Sequence, residues 1–533
     1  MARQLADRIR TTTQVRILFS VRNPSYVRHY ESVLRMLATR GHQVQLVTER
    51  PERHTWPPSV FVLTRECPAI ELSMMPSLAN DPWFELATRL RQARFYLRFL
   101  DPQYRGMPAL MARARSRAPR PAIRLAESIL PGRTGRRLLA RSLDVLDRAT
   151  RTAEVLHGYL HDTRPDVVVL TPLVVLKTTQ LDLARAAIEI GIRNVFAVAS
   201  WDNLSSKGEL TFAPQRIIVW NDVQKREVTE MHGIDPDRVV VTGAQVFDDW
   251  FDKRPSTTRD EFCARVGLRP DRPIVLYVCS ALLEGSPPEP AFVAQWARHL
   301  RSTAHSALRD CGILIRPHFK RGEEWRDVRF DGLENVVCWP PAGAVPVDAV
   351  SKTDYFDSLY HASAVVGLNT SALIEAAILG RSVHTVLLPE FRDSQEGTVH
   401  FHYLLHGPDA LLRSTRSLDA HADALAETLS GHDPDPDRSA RFVRAFVRPQ
   451  PNVSATARFV ETIEALGASP APRPEPTAAW TTLLRPVLRP FARAAAERVR
   501  RLKEKRRQQK ELQLQEHRRR RKHGAKAAET TNA

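Results

Sequence analysis

The chain has only five cysteines in 533 residues, and none stands at CxxC spacing or beside a histidine at ligand spacing. Cys67, Cys263, Cys279, Cys311 and Cys338 therefore offer neither a disulfide framework nor a zinc site, and a reduced, cytoplasmic chain is expected. No run of about eighteen apolar residues occurs, which excludes a membrane-spanning helix. The N-terminal stretch MARQLADRIRTTTQVRILFSV has no long apolar core behind its charges and no small-residue cleavage site, so no signal peptide is read there. The GxGxxG fingerprint is missing as well, and with it the indication of a dinucleotide. Neither a cofactor nor a metal is expected.

What is present is length, apolar content and an uneven charge. At 533 residues with 43% hydrophobic content, the chain suits two or three domains with sizeable cores. The net charge of +18 suggests nucleic acid until it is localised. Between Arg485 and Lys526, seventeen Lys and Arg meet four Glu, which accounts for +13 of it. The body is only mildly basic, and nucleic acid is not indicated as a partner.

Strand and helix periods alternate along most of the chain. VRILFSV at 15–21 reads as a strand, a loop of Arg22 to Ser25 follows, a helical period runs from Tyr26 to Thr39, and QVQLVT at 43–48 is the next strand. Further strands are read at 166–171, 194–199, 216–220 and 239–242. After a boundary near FDDWFDKRPS (247–256), more follow at 273–279, 312–315, 335–338 and 382–388. Repeated β then α implies parallel sheets with right-handed crossovers, an α/β fold of doubly wound type. From Asn80 to about Leu160 the pattern changes to Arg- and Leu-rich helices broken by proline, with Trp83, Phe84, Phe95, Tyr96 and Phe99 as an amphipathic face. That insert reads either as core or as a surface for a lipid-linked or polymeric acceptor.

Three loops at strand ends carry the chemistry. In SAVVGLNTSALIEAAILGRSVHTV (363–386), a β-branched run stops at Gly367 and passes through Asn369, Thr370 and Ser371 into a helix, the arrangement that accepts a phosphate. Glu375 lies four residues after Ser371, on the same helix face, and does not complete a capping box, so it is available to a ligand. RPHFK places Arg316, His318 and Lys320 where a strand ends, a candidate diphosphate clamp. SWDNLSSKG (200–208) offers Asp202 as a base or hydroxyl-orienting group and Lys207 as a phosphate partner. Asn23, Tyr26 and His29, after the first strand, are candidate substrate contacts.

Together these segments resemble the GT-B fold of nucleotide-sugar glycosyltransferases, in the branch containing UDP-N-acetylglucosamine 2-epimerase and the CDP-glycerol glycerophosphotransferases. VVVTGAQVFDDW resembles the interdomain VTGN segment, ILIRPHF the strand ending in Pro-His, and VVGLNTSALIEAAILGRSV the donor-site motif. RFVRAFVRPQPNVSATARFVETI is similar to the closing segment that crosses back to the first domain. The resemblance implies two Rossmann-like domains, an acceptor domain at 15–248 with a helical insert at about 80–160 and a donor domain at 257–436. Closing helices at 437–467 and a Pro-rich linker with a basic tail at 468–533 would complete the chain. It implies group transfer from a nucleotide-activated sugar or polyol phosphate to a saccharide or lipid-linked acceptor, as in envelope polysaccharide biosynthesis. The alternatives are a nonhydrolysing nucleotide-sugar 2-epimerase and an inactive binding scaffold of the same fold. Donor binding then falls to Arg316, His318, Lys320, Thr370, Ser371 and Glu375, with Glu375 on the ribose. Acceptor binding falls to Asn23, Tyr26 and Lys207, and Asp202 or His29 is the base. Thr370 and Ser371 replace the epimerase's glycine-rich turn, and the tandem histidines of the polyol-phosphate transferases are missing. The tail reads either as solvated or as an attachment to anionic lipid, with Leu483, Leu484, Val487, Leu488 and Phe491 adding insertion. A peripheral place on the inner face of the cell membrane would follow.

Overall fold

The computed structural model describes residues 14–49, 55–79, 81–283, 285–341, 343 and 348–531, with side chains described through 509 and at 511–513 and 515. The N-terminal residues 1–13, Asn80 at the head of the insert and the side chains of the second basic block at 518–522 lie outside the described residues. Seven strands form the first sheet: β1 (Arg16–Val21), β2 (Gln43–Thr48), β3 (Ile70–Met74), β4 (Val167–Thr171), β5 (Arg193–Ala197), β6 (Arg216–Val219) and β7 (Val239–Val241). All pair in parallel, in the order β3-β2-β1-β4-β5-β6-β7. Six more form the second: β8 (Ile274–Val278), β9 (Gly312–Arg316), β10 (Val336–Cys338), β11 (Ala364–Gly367), β12 (Ser382–Val386) and β13 (Arg413–Thr415). These are also parallel, ordered β10-β9-β8-β11-β12-β13. The central strands are apolar along their whole length because helices cover both faces; every residue of β4 and β8 is buried.

Strand order reverses between β1 and β4 in one sheet and between β8 and β11 in the other. At such a reversal the loops leave in opposite directions and open a crevice beyond the strands' carboxyl ends, where doubly wound sheets bind ligands. The edge strands β3 and β13 went unanticipated. IELSM alternates polar and apolar residues, and Arg413–Thr415 has no apolar residue, because an edge strand need not be buried on both sides.

The two sheets are joined twice. Gly243 follows β7 at φ 93°, and a Cβ there would stand 2.9 Å from the Ala455 Cβ, so this close approach of two chain segments requires glycine. Asp248 then accepts hydrogen bonds from the backbone N–H groups of Ala455 (3.1 Å) and Thr456 (2.6 Å), at the start of the helix Ala455–Ala468. That helix buries Phe459, Val460, Ile463 and Leu466 against β4, β5 and the helix Glu31–Thr39 of the first domain. Each such side chain contributes about 1.5–3 kcal/mol, enough to hold the closing segment in place.

The helical insert has its own core. Phe95 packs edge-on to Phe99 (4.8 Å between ring centroids), and Phe99 meets Tyr104 at 4.5 Å. Phe95, Tyr96 and Phe99 are therefore core residues, not contacts for an acceptor. The segment after the closing helix packs on the body as far as Ala495, and the described side chains from Arg500 onward are exposed. Thr477 Oγ1 donates to Glu189 (2.9 Å), and Arg193 donates to the Ser469 carbonyl (2.9 Å). The long helix Arg485–Thr531 buries Leu488 and Ala492 against Leu86 and Ala149 of the insert.

Candidate active site

The carboxyl edges of the two sheets face each other across a cleft of about 360 Å³. Arg28, His29, Gln245 and Trp250 line one side, and Arg316, His318, Tyr355, Thr370, Ser371 and Glu375 the other. A larger cavity of about 610 Å³ lies within the insert, lined by arginines and by none of the motif residues. Position at both strand-order reversals favours the interdomain cleft as the reactive site.

On the second domain's wall, the loop after β11 is held rigidly. A Cβ on Gly367 would stand 2.9 Å from the Val278 carbonyl oxygen, so the strand end can approach β8 only as glycine. Asn369 donates its backbone N–H to Ser280 Oγ (3.0 Å) and its Nδ2 to the Ser394 carbonyl (2.5 Å). Asn369 is thus a structural tie, while Thr370 and Ser371 open the short helix Ala372–Ile378 beside the cleft, Ser371 making no side-chain cap bond. One turn on, Glu375 accepts a hydrogen bond from the Tyr355 hydroxyl. Burial pushes the Glu375 carboxyl up to about 7, against the opposing effects of Tyr355 and the Arg28 charge.

The expected clamp of Arg316, His318 and Lys320 is not assembled. Arg316 is buried and committed to Asp354 (2.8 Å) and Ser358 (2.5 Å), with its guanidinium 5.3 Å from the Tyr355 ring centroid. It orders Tyr355 and is not a free cation. His318 accepts from the Lys320 backbone N–H (3.2 Å) and stacks on Phe319; burial, then Lys320 and Arg28, lower it to about 4, so it is neutral at pH 7. The Lys320 ammonium lies over the Phe319 ring at 5.8 Å and does not line the cleft. Those pairings involve Asp354 and Ser358, some forty residues from Arg316, and no local spacing announces them.

On the first domain's wall, Asn23 is a cap and not a substrate contact. Its Oδ1 accepts from the Ser25 backbone N–H (3.1 Å) and side chain (2.5 Å), which starts the 3-10 turn Pro24–His29. The same turn presents His29 to the cleft. Its Nδ1 is enclosed without a hydrogen-bond partner among the described residues, and burial with Arg28 lowers it to about 3. Arg28 was not singled out by sequence reasoning, and its only sequence signal is its place next to His29. Its side chain is exposed in the cleft, its charge acts on both Glu375 and His318 of the other domain, and it has no ion pair among the described residues.

Asp202 and Lys207 pair with each other at 2.7 Å. Burial alone would raise the Asp202 carboxyl, but the charges of Lys207 and His400 and hydrogen bonds from Lys207 and Ser200 hold it well below the usual carboxylate range. So held, Asp202 is a poor base, which corrects that assignment, and Lys207 is already partnered. Tyr26 is electrostatically coupled to this pair; burial raises its hydroxyl, opposed by Lys207 and Arg22. The loop lies at the domain seam, because Trp201 meets His400 of the helix Val399–Leu405 at 4.7 Å. From the insert, buried Arg98 donates to the carbonyls of Leu204 and Gly208, the latter at 3.2 Å, and Arg113 to that of Ser206 at 2.5 Å. Of the eleven candidate residues, the cleft collects His29, Arg316, His318, Thr370, Ser371 and Glu375, with Tyr26, Asp202 and Lys207 grouped at the seam.

No family model matches the sequence, and no curated protein matches it. Solved structures do. A Listeria monocytogenes protein provisionally named a UDP-N-acetylglucosamine 2-epimerase superposes with a TM-score of 0.51 at 10% identity, over 86% of this chain and 99% of the other. A glycosyltransferase from Rickettsia africae gives 0.48 at 11% identity, over 86% and 100%. UDP-GlcNAc 2-epimerase from Neisseria meningitidis, solved with UDP-GlcNAc, gives 0.46 at 11% identity, over 85% and 99%. With two parallel doubly wound sheets facing across a cleft, the chain has the GT-B fold, which it shares with the Listeria protein.

Proposed function

We propose that the chain transfers a sugar or polyol phosphate from a nucleotide-activated donor to a saccharide or lipid-linked acceptor. The observation that carries this reading is Glu375: a carboxyl at the cleft, hydrogen-bonded by Tyr355 and faced by Arg28 of the other domain, which has no ion pair among the described residues. In this reading Glu375 receives the ribose hydroxyls. The diphosphate lies between Arg28 and the N–H groups at Ser371 and Ala372, so a cation and fixed dipoles meet the charge of the departing nucleotide. His29 takes the acceptor proton at Nε2, which accepts from Arg28 Nε (3.5 Å) and is freed when Arg28 turns to the diphosphate. The bound diphosphate would supply the negative charge that raises its proton affinity toward neutrality. Tyr26 and the Asp202–Lys207 pair orient the acceptor beside it. Arg316 and His318 serve by fixing the wall.

The test is the melting temperature of the chain with UDP-, GDP-, CDP- and dTDP-sugars and with CDP-glycerol. At least one should raise it for wild type and not for Glu375→Ala. If none does, the donor assignment is wrong. One observation favours a second reading. A carboxyl near 7 and a neutral imidazole on opposite walls also suit proton removal and return, as in a 2-epimerase. Deuterium entering a UDP-sugar from solvent, with no acceptor present, would decide for epimerisation.

A further inference from the structure

The C-terminal helix has two apolar faces, and the fold uses one. Leu488, Ala492 and Ala495 are buried on the insert side. Trp480 (55% exposed), Leu483 (76%), Val487 (64%) and Phe491 (62%) are open to solvent. Trp480 stands on the short helix Ala479–Thr482 and Leu483 in the turn that joins it to the long helix; carried on at about 100° per residue, the four fall within an arc of roughly 80° on one side. Sequence reasoning grouped Leu484 and Leu488 with them; the structure turns those two toward the insert.

The open face continues along the axis. Arg498, Leu502, Lys505 and Leu512 follow on the same side, all exposed. As far as Leu512 the carboxylates do not share it: Glu497, Glu504 and Glu511 recur every seventh residue, about 100° around the helix. Glu497 and Glu511 are engaged by Arg501 and Arg507. Arg498 and Lys505 have no ion pair among the described residues. A side that is apolar at one end, cationic at the other and free of carboxylates from Trp480 to Leu512 fits a surface of hydrocarbon beneath anionic headgroups. It suits neither bare RNA, which has no use for Leu483, Val487 and Phe491, nor an acidic protein groove, which does not need four large apolar groups in solvent.

We infer that the face Trp480, Leu483, Val487, Phe491, Arg498 and Lys505 docks the folded chain onto an anionic lipid bilayer, with the insert as its rigid mount. The experiment is flotation of the full chain with phosphatidylcholine vesicles, with and without about one third phosphatidylglycerol. Wild type should float with the anionic vesicles and not with the neutral ones. The triple variant Leu483→Gln/Val487→Gln/Phe491→Gln should lose about tenfold or more in partitioning. Arg498→Gln and Lys505→Gln should each lose roughly fivefold. Glu504→Gln, off the face, should float like wild type. These exposed positions make no core contact, and an unchanged thermal melt of each variant certifies its fold. Equal flotation with neutral vesicles, undiminished flotation of the triple variant, or retention on RNA without flotation would each overturn the inference. Thermal shifts with nucleotide donors should be the same in all these variants, so failure here is distinguishable from failure of the donor reading.

Discussion

Replacing Glu375 by glutamine should stabilise the chain, and only at the alkaline end. Burial raises this carboxyl from its ordinary 4.5 to about 7. A raised folded-state value means that the native chain holds a proton the unfolded chain has released. Stability from this group is therefore full below about pH 4.5 and is lost as pH rises through 7. At 1.36 kcal/mol per pH unit the difference approaches about 3 kcal/mol, and partial exposure of the residue reduces it to about 1–3 kcal/mol. Glutamine keeps the shape and an oxygen for the Tyr355 hydroxyl while removing the charge. Urea unfolding of both proteins at pH 5 and pH 8 reads the effect: similar stabilities at pH 5, and the Gln variant more stable by about 1–3 kcal/mol at pH 8. Tyr355→Phe removes a bond that favours the ionised form and should move the wild-type pH transition upward. Glu227 and Glu289 are also raised, to about 7 and about 8, so the difference between variants carries the argument and not the wild-type curve. A stability difference independent of pH, or a Gln variant weaker at pH 8, would refute the reasoning.

Arg98→Ala should cost about 3 kcal/mol in urea unfolding, because it strands the buried carbonyls of Leu204 and Gly208. It should also loosen the Ser200–Lys207 loop, seen as faster amide hydrogen exchange there. Asp248→Ala should lower stability by about 2 kcal/mol by freeing the first N–H groups of the closing helix, with exchange increasing first in residues 455–468. Arg28→Ala, at an exposed position, should leave the melt unchanged and weaken donor binding by about tenfold or more in calorimetric titration.

The sequence made the interior strands legible because parallel strands buried on both faces must be continuous β-branched runs, as in VVVLT and IVLYV. Edge strands obey no such rule, and IELSM and RST passed unread. The helix head at Thr370 and Ser371, and Glu375 behind it, were legible for a similar reason: strand, glycine and hydroxyls follow one another in the chain. Partners were not legible where they arrive from afar. Arg316 was read as a free cation because Asp354 and Ser358 are remote in sequence, and Asp202 as a base because the burial that binds it to its neighbour Lys207 comes from a seam closed by distant His400. Arg28 escaped notice because a lone arginine on a 3-10 turn has no pattern; only the facing domain makes it a ligand candidate. The two-faced C-terminal helix shows the same limit. Its apolar residues were visible, but which of them dock inward depends on where the insert lies.

A crystal structure of the chain with the nucleoside diphosphate that stabilises it most tests the central claim most directly. The diphosphate should lie between the Arg28 guanidinium and the backbone at Ser371 and Ala372, with a ribose hydroxyl within about 3 Å of Glu375. A nucleotide lodged instead in the arginine-lined cavity of the insert, or one bound in the cleft with Glu375 untouched, would contradict it.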